Sequence, residues 1–330
     1  MAFQKLSRTL KPSSKLEMPN IPAKQNDSLI ILNVGSGKRR QREAADGLRE
    51  LGKSCGVSFD LVLVNGSTVL QAARNARKAA YERVIVGGGD GTINAVASEL
   101  AGSDIRLGIL PLGTFNFVAR ELGIPDDLEH AFRLCVAEKG GSISCGTVND
   151  RIFLNSASIG FYAQVLTVRE KTYRRWGRSR FTAYLSVLRA LVNFRTNMYV
   201  KVKVNQQEQT LRTPMIFIGR NECQLREFAL PGSDCVKNDG LVVYILPPVT
   251  RLGLLRLAIR LLHRGPELQK EVSYFCASSL EIDSRQITTT VAIDGERVKL
   301  QYPLKFGVAV NAISVISGVR ESQASPESAA

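Results

Sequence analysis

Residues 81–100 read YERVIVGGGDGTINAVASEL. A short apolar run, RVIVGG, passes through three glycines, an aspartate, another glycine and a threonine into a segment with helical spacing. In a parallel α/β sheet such strand-to-helix turns collect on one edge, and ligands bind there. Glycines at the turn leave backbone N–H groups free and let an anion approach closely, while the following helix directs its positive end at the same place. The stretch therefore predicts a phosphate cradle of Gly88, Gly89 and Gly91 with a hydroxyl from Thr92. Asp90 acts there through a metal ion or a nucleotide hydroxyl, because a bare carboxylate repels phosphate. The competing reading is a plain glycine turn in which Asp90 caps its own helix.

Outward from this stretch, residues 28 to 140 alternate short apolar runs with helical patterns: SLIILNV, SFDLVLV, RVIVGG and RLGILPL, each followed by a helix-like segment. That alternation marks β-α units around a parallel sheet. Two further turns fall on the same edge. NVGSGKRR offers Asn33, Ser36, Gly37 and Lys38, without the spacing of a Walker A loop, and LPLGTFNFVAREL offers Gly113, Thr114 and Asn116. The dinucleotide fingerprint G-x-G-x-x-G is absent from the first turn, which argues against an ordinary Rossmann site. From about residue 141 strands dominate (SISCGTV, RIFLNSAS, MYVKVKV, TPMIFIG, GLVVYIL, EVSYF, TTTVAID, FGVAVNAISVIS), interrupted by helical stretches near 180 to 194 and 251 to 262. This texture predicts an antiparallel sandwich or open barrel. Residues 1–27 and 321–330 read as disordered tails.

Composition sets the outer bounds. With 330 residues and 44% hydrophobic content, two domains are expected. No apolar run reaches the roughly 18 residues needed to span a bilayer, and the start lacks the apolar centre of a secretory signal, so a cytoplasmic protein is expected. Six cysteines without a C-x-x-C pair suggest neither a zinc site nor a disulfide framework, and fit a reducing compartment. The net charge of +14 is concentrated. Residues 171 to 195 hold seven Lys or Arg and no acid, and residues 251 to 270 hold five against one Glu. The first segment has an apolar stripe beside its cations, the pattern of a helix on an anionic membrane surface or of a core-packed helix with a solvated face. No base-reading motif accompanies the charge, so nucleic acid is not expected. Oligomeric state leaves no mark, and a homodimer stays open.

Candidate acids lie in the second half. AIDGERV presents Asp294 and Glu296 around Gly295 at the end of an apolar strand, where one carboxylate can take a proton from an alcohol while its partner orients it or binds magnesium. An ordinary acidic hairpin turn is the alternative. Asp239 in KNDGL has the same alternative, Asp-Gly being a common hairpin signal. His130 and His263 both fall in predicted helices without partner motifs, which leaves a carboxylate as the expected base.

Together these residues carry a resemblance. GGDGT at 88 to 92 followed by Ile93 and Asn94, PLGT-x-N at 111 to 116, NDGL at 238 to 241 and DGE at 294 to 296 occur in the order found in bacterial lipid kinases of the diacylglycerol kinase catalytic superfamily, relatives of sphingosine kinases and more distantly of NAD kinases. The likeness runs from about 28 to 318. It implies a nucleotide-binding α/β domain over 28–140 and 306–320, a β-rich lipid-substrate domain over 141–305, and a last strand that returns to the first domain. It implies ATP contacts from Asn33, Ser36, Gly37, Gly88, Gly89, Asp90, Gly91, Thr92, Asn94, Gly113, Thr114 and Asn116. It also implies a magnesium ion held by Asp239 with the carbonyls of Val236 and Leu241, and Glu296, with Asp294, at the proton transfer. Val34, Val62 and Phe117 depart from the family pattern. The implied activity is ATP-dependent phosphorylation of a diacylglycerol-like, phosphatidylglycerol-like or sphingoid lipid, with peripheral contact to anionic membrane. The alternatives are an NAD kinase-like enzyme, which is expected to carry an N-E pair and a G-T-A-Y type segment not evident here, and a non-catalytic nucleotide- or lipid-binding relative.

Overall fold

The computed structural model describes residues 24–33, 38–137, 140–163, 166, 197–248, 250 and 273–318. Both basic segments, the greater part of each predicted tail, and Val34, Ser36, Gly37 and His263 lie outside them.

Four parallel strands, β1 (Ser28–Leu32), β2 (Asp60–Leu63), β3 (Arg83–Gly88) and β4 (Arg106–Pro111), lie in the order β2-β1-β3-β4. Every residue of β1 and β3 is buried, which is why both read as unbroken apolar runs: helices cover the two faces of a parallel sheet. Those helices are α1 (Lys38–Cys55), α2 (Val69–Lys78), α3 (Asp90–Leu100), α4 (Phe117–Glu121) and α5 (Leu128–Val136). α3 packs Ile93, Val96, Ala97 and Leu100 inward at three- and four-residue spacing. The chain reverses its winding direction between β1 and β3, so the carboxyl ends of these two strands border the crevice where such sheets bind ligands. Residues 24–27 are part of this fold, a correction to the expected tail: the Gln25 N–H and the Asn26 amide bind the buried Asp60 carboxylate at 3.0 and 2.8 Å.

The remaining strands are β5 (Gly140–Val148), β6 (Arg151–Phe153), β7 (Ser156–Gly160), β8 (Met198–Val204), β9 (Gln207–Thr213), β10 (Met215–Gly219), β11 (Leu241–Ile245), β12 (Ser273–Ala277), β13 (Leu280–Asp283), β14 (Thr288–Ile293), β15 (Glu296–Gln301) and β16 (Leu304–Ile316). Two short helices, α6 (Glu222–Glu227) and α7 (Ser233–Lys237), separate β10 from β11. One sheet runs β12-β11-β10-β7-β14-β15, and the other continues the first domain's sheet through β16 into β13-β8-β9. Val200, Val202, Ile282 and Phe306 of one sheet meet Ile159, Ile216, Ile218, Val243 and Val291 of the other in a single apolar layer. The sandwich reading and the returning last strand are thus both present. β16 pairs antiparallel with β13 at Phe306 and Leu280, slips register against β5 between Ala309 and Ile313, and ends parallel to β4 at Val315 and Leu107.

The cysteine expectation is corrected. Cys235 of α7 and Cys276 of β12 form a disulfide, with Cα atoms 5.5 Å apart. Helix α7 packs over β11, the neighbour of β12, and brings together two cysteines that no spacing rule pairs. A disulfide suits oxidising surroundings, so the cysteines give no ground for a reducing compartment.

Candidate active site

The end of β1 and the start of α3 meet across the crevice. Asn33 donates its backbone N–H to the Gly87 carbonyl at 2.8 Å, and its side-chain amide to Thr92 Oγ1 at 2.9 Å. A Cβ on Gly88 would stand 2.7 Å from the Thr92 side chain, so only glycine lets the threonine fold back over the turn. The third turn packs on the second: a Cβ on Gly113 would lie 2.5 Å from the Gly89 Cα. The expected cradle residues Gly89, Gly91 and Thr92 are partly exposed and Thr114 is exposed, whereas Gly88 is buried. A bed of glycine backbone at the N-terminus of an eleven-residue helix fits a phosphate group.

Other expected contacts have different surroundings. Asn116 is buried in a left-handed conformation, φ 51°, and its Oδ1 accepts the Gly113 N–H at 2.9 Å, so it shapes the turn from within. Asn94 Oδ1 is buried with no hydrogen-bond partner among the described residues. Asp90 does not cap its own helix. Its Oδ1 accepts the Val118 N–H of α4 at 3.2 Å. Burial raises its pKa, opposed by hydrogen bonds from Val118, its own backbone N–H, the Asn155 side chain and Phe117.

The second domain reaches this edge through the β14–β15 hairpin. Asp294 and Gly295 both have positive φ, 45° and 82°, and Ile293 pairs with Glu296, the geometry of a two-residue Asp-Gly turn. Asp294 turns inward: its Oδ2 accepts the Leu154 N–H at 2.8 Å, and its Oδ1 accepts those of Asn155 and Ser156 at 2.9 and 2.8 Å. Burial pushes its carboxyl up to about 6, against the pull of those three bonds and with the help of the nearby Asp90 charge. Glu296 turns outward. It is exposed, and its Oε1 lies 3.7 Å from where a Cβ on Gly91 would stand. The hairpin thus presents one carboxylate as an anchor and the next one to the glycine turn.

Two residues that the motifs do not mark hold these parts together. Asn155 donates its N–H to Asp294, accepts the Arg220 N–H on its carbonyl at 2.8 Å, and reaches Asp90 with its side chain. Arg220, only 7% exposed, sends Nη2 to Asp239 Oδ1 at 2.7 Å and Nη1 to the Val236 carbonyl at 3.0 Å. Two of the three oxygens expected to hold magnesium therefore converge, and a guanidinium stands on both; Leu241, the third, opens β11 opposite Ala277. These residues do not fit a divalent ion as they stand. A cleft of about 300 Å³ opens beside them, lined by Glu121, Ser144, Arg220, Lys237 and Asp239 among others. Burial pushes the Glu121 carboxyl up to about 7, opposed by the Arg220 charge and by the N–H groups of Glu222 and Cys223. A charged residue directly after an apolar strand, as in MIFIGRN, is the one sequence signal that points to Arg220.

An α/β domain with this cradle is thus joined to a two-sheet sandwich that returns a strand and a carboxylate to it. Residues 27–148 match the diacylglycerol kinase catalytic domain, and the first domain belongs to that family. A curated protein of Klebsiella pneumoniae named "Probable lipid kinase YegS-like" is 40% identical over 144 residues, which cover 42% of this chain and 48% of that protein. A protein of the same name from Chromohalobacter salexigens is 39% identical over 144 residues, covering 42% and 45%. The matched region spans about half the length of these relatives. The crystal structure of a diacylglycerol kinase from Bacillus anthracis superposes with a TM-score of 0.59 at 19% identity, over 88% of this chain and 96% of that one, which establishes the shared fold.

Proposed function

We propose that this protein is an ATP-dependent lipid kinase that phosphorylates the hydroxyl of a diacylglycerol-like, phosphatidylglycerol-like or sphingoid lipid. The observation that carries the reading is the approach of Glu296 to Gly91, which sets an accessible carboxylate against the glycine cradle. Phosphoryl transfer needs an in-line hydroxyl, charge neutralisation on the phosphate and a group to receive the proton. In this reading Gly89, Gly91 and Thr92 offer backbone N–H groups and a hydroxyl to the nucleotide phosphates, and Asn33 holds Thr92 in place. The lipid oxygen bonds to the γ-phosphorus as the bond to ADP breaks, and Glu296 takes the hydroxyl proton. Magnesium carried on the nucleotide supplies further positive charge to the phosphates. Ser36 and Gly37, expected to add to this site, lie outside the described residues. Among the described residues no helix is long and apolar enough to cross a membrane. Docking is assigned to basic residues 171–195, also outside the described residues.

The test is incubation of the purified chain with labelled ATP, magnesium and a panel of lipids in mixed micelles, with NAD in parallel. Label in a lipid is the expected result. Label in NAD alone would move the chain to the NAD kinase-like class, and label in neither would leave a non-catalytic relative.

A further inference from the structure

We propose that Arg220 is a built-in cation at the Asp239 loop, standing where the family resemblance calls for a divalent metal and binding that loop to the turn that carries the active-site contacts. The Val236 carbonyl has two lone pairs, and both have partners: the Asp239 N–H at 3.1 Å and Arg220 Nη1 at 3.0 Å. Asp239, left-handed at φ 53°, turns its Oδ1 to Arg220 Nη2 at 2.7 Å. One planar fork thus grips a carbonyl and a carboxylate at once, a geometry that guanidinium satisfies with directed N–H donors. Magnesium would require these same oxygens at about 2.0–2.1 Å in a near-ideal octahedron. It would find the carbonyl saturated and a guanidinium already seated on the half-exposed carboxylate.

The arginine has a further reach that a bare ion lacks. Its backbone N–H binds the Asn155 carbonyl at 2.8 Å, and Asn155 in turn binds the Asp294 carboxylate at 2.9 Å. A continuous line of hydrogen bonds, from Asp239 through Arg220 and Asn155 to Asp294, therefore runs from the α7–β11 loop to the hairpin that bears Glu296. The guanidinium also faces the buried Glu121 of α4, so the same charge acts on both domains.

Thermal melting of the full chain, nucleotide-free and treated with chelator, tests this without reference to activity. Millimolar magnesium or manganese is expected to shift the parent and Asp239→Asn by the same amount. A rise of several degrees in the parent that is absent from Asp239→Asn would place a metal on Asp239 and overturn the proposal. Arg220→Gln is expected to melt about 3 °C or more below the parent, since it removes the charged donors from the Val236 carbonyl and from the half-exposed Asp239 carboxylate. Adding Asp239→Asn to Arg220→Gln is expected to cost little more, because the two residues act as one unit. A parent-like melting point for Arg220→Gln, or full additivity in the double variant, would refute the clasp. Should Arg220→Gln fail to fold, the metal titration of the parent decides alone.

Discussion

The Asp-Gly pair that opens α3 and the Asp-Gly pair of the β14–β15 hairpin are the same dipeptide in opposite settings. Asp90 stands at the head of a helix, and its carboxylate reaches sideways to the N–H of Val118 on the next helix, leaving Gly91 facing the crevice. Asp294 sits in a left-handed hairpin position and gathers three backbone N–H groups of the β6–β7 turn. In each case the aspartate is spent on architecture, and the atoms that face the crevice belong to its neighbours: the Gly91 backbone in one, the Glu296 carboxylate in the other. A third pair, Asp239-Gly240, repeats the pattern with Arg220 as the partner. An acid's place in a motif therefore does not reveal whether it is a reagent or a brace.

The comparison breaks most visibly at Asp294. Replacement by alanine leaves the N–H groups of Leu154, Asn155 and Ser156 without their acceptor. At about 1–3 kcal/mol for each of the three unsatisfied donors, the expected loss is roughly 3–9 kcal/mol, or about 10 °C or more in melting temperature. Differential scanning calorimetry measures it. A shift within about 2 °C would show that Asp294 is no brace and would reopen its claim to the chemistry.

Glu296→Gln is the sharper converse. The side chain is exposed, so melting temperature and ATP affinity are expected to stay at parent values while turnover falls by about a hundredfold, the usual scale of a general base. Steady-state kinetics on whichever lipid accepts label provides the number. Near-normal turnover would remove Glu296 from the mechanism.

How far this division could be read beforehand follows from the kind of signal each part leaves. The parallel sheet was legible because burial on both faces forces unbroken apolar runs at β1 and β3, and the cradle because glycine is the residue that allows backbone to approach backbone, as Gly113 does Gly89. β9 and β15 left no such trace. Both are edge strands, with charged and polar residues such as Glu208, Arg212, Arg297 and Lys299 where an inner strand alternates. Short β13 escaped for its length alone. Asn155 and Arg220 were hidden for another reason. Their importance lies in partners distant in sequence: Asn155 has no local pattern to betray it, and for Arg220 a charge directly after an apolar run is a signal too common to single it out. The motifs likewise named Asp294 and Asn116 as site residues without telling that each spends its side chain on the backbone around it.

The mildest test concerns Glu121, whose charge faces Arg220 across the cleft between the domains. Its carboxyl is raised from an ordinary 4.5 to about 7, first by burial, with Arg220 and two backbone N–H groups opposing. Below the unfolded value both states are protonated and the group contributes nothing. Between the two values the unfolded chain releases its proton while the folded chain retains it, so stability falls as pH rises; above about 7 the penalty is constant. Its upper bound is about 3 kcal/mol. Glu121→Gln removes the buried charge but also gives up one acceptor oxygen near the Glu222 and Cys223 N–H groups, which returns about 1 kcal/mol. The expected net gain is about 1–2 kcal/mol at pH 8, a rise of a few degrees, with no gain at pH 5, where the parent already carries the proton. Melting curves at the two pH values decide it. An equal effect at both, or no gain at pH 8, would mean that the Glu121 carboxyl is not raised by folding, and that the Arg220 charge and the two backbone N–H groups offset its burial in full.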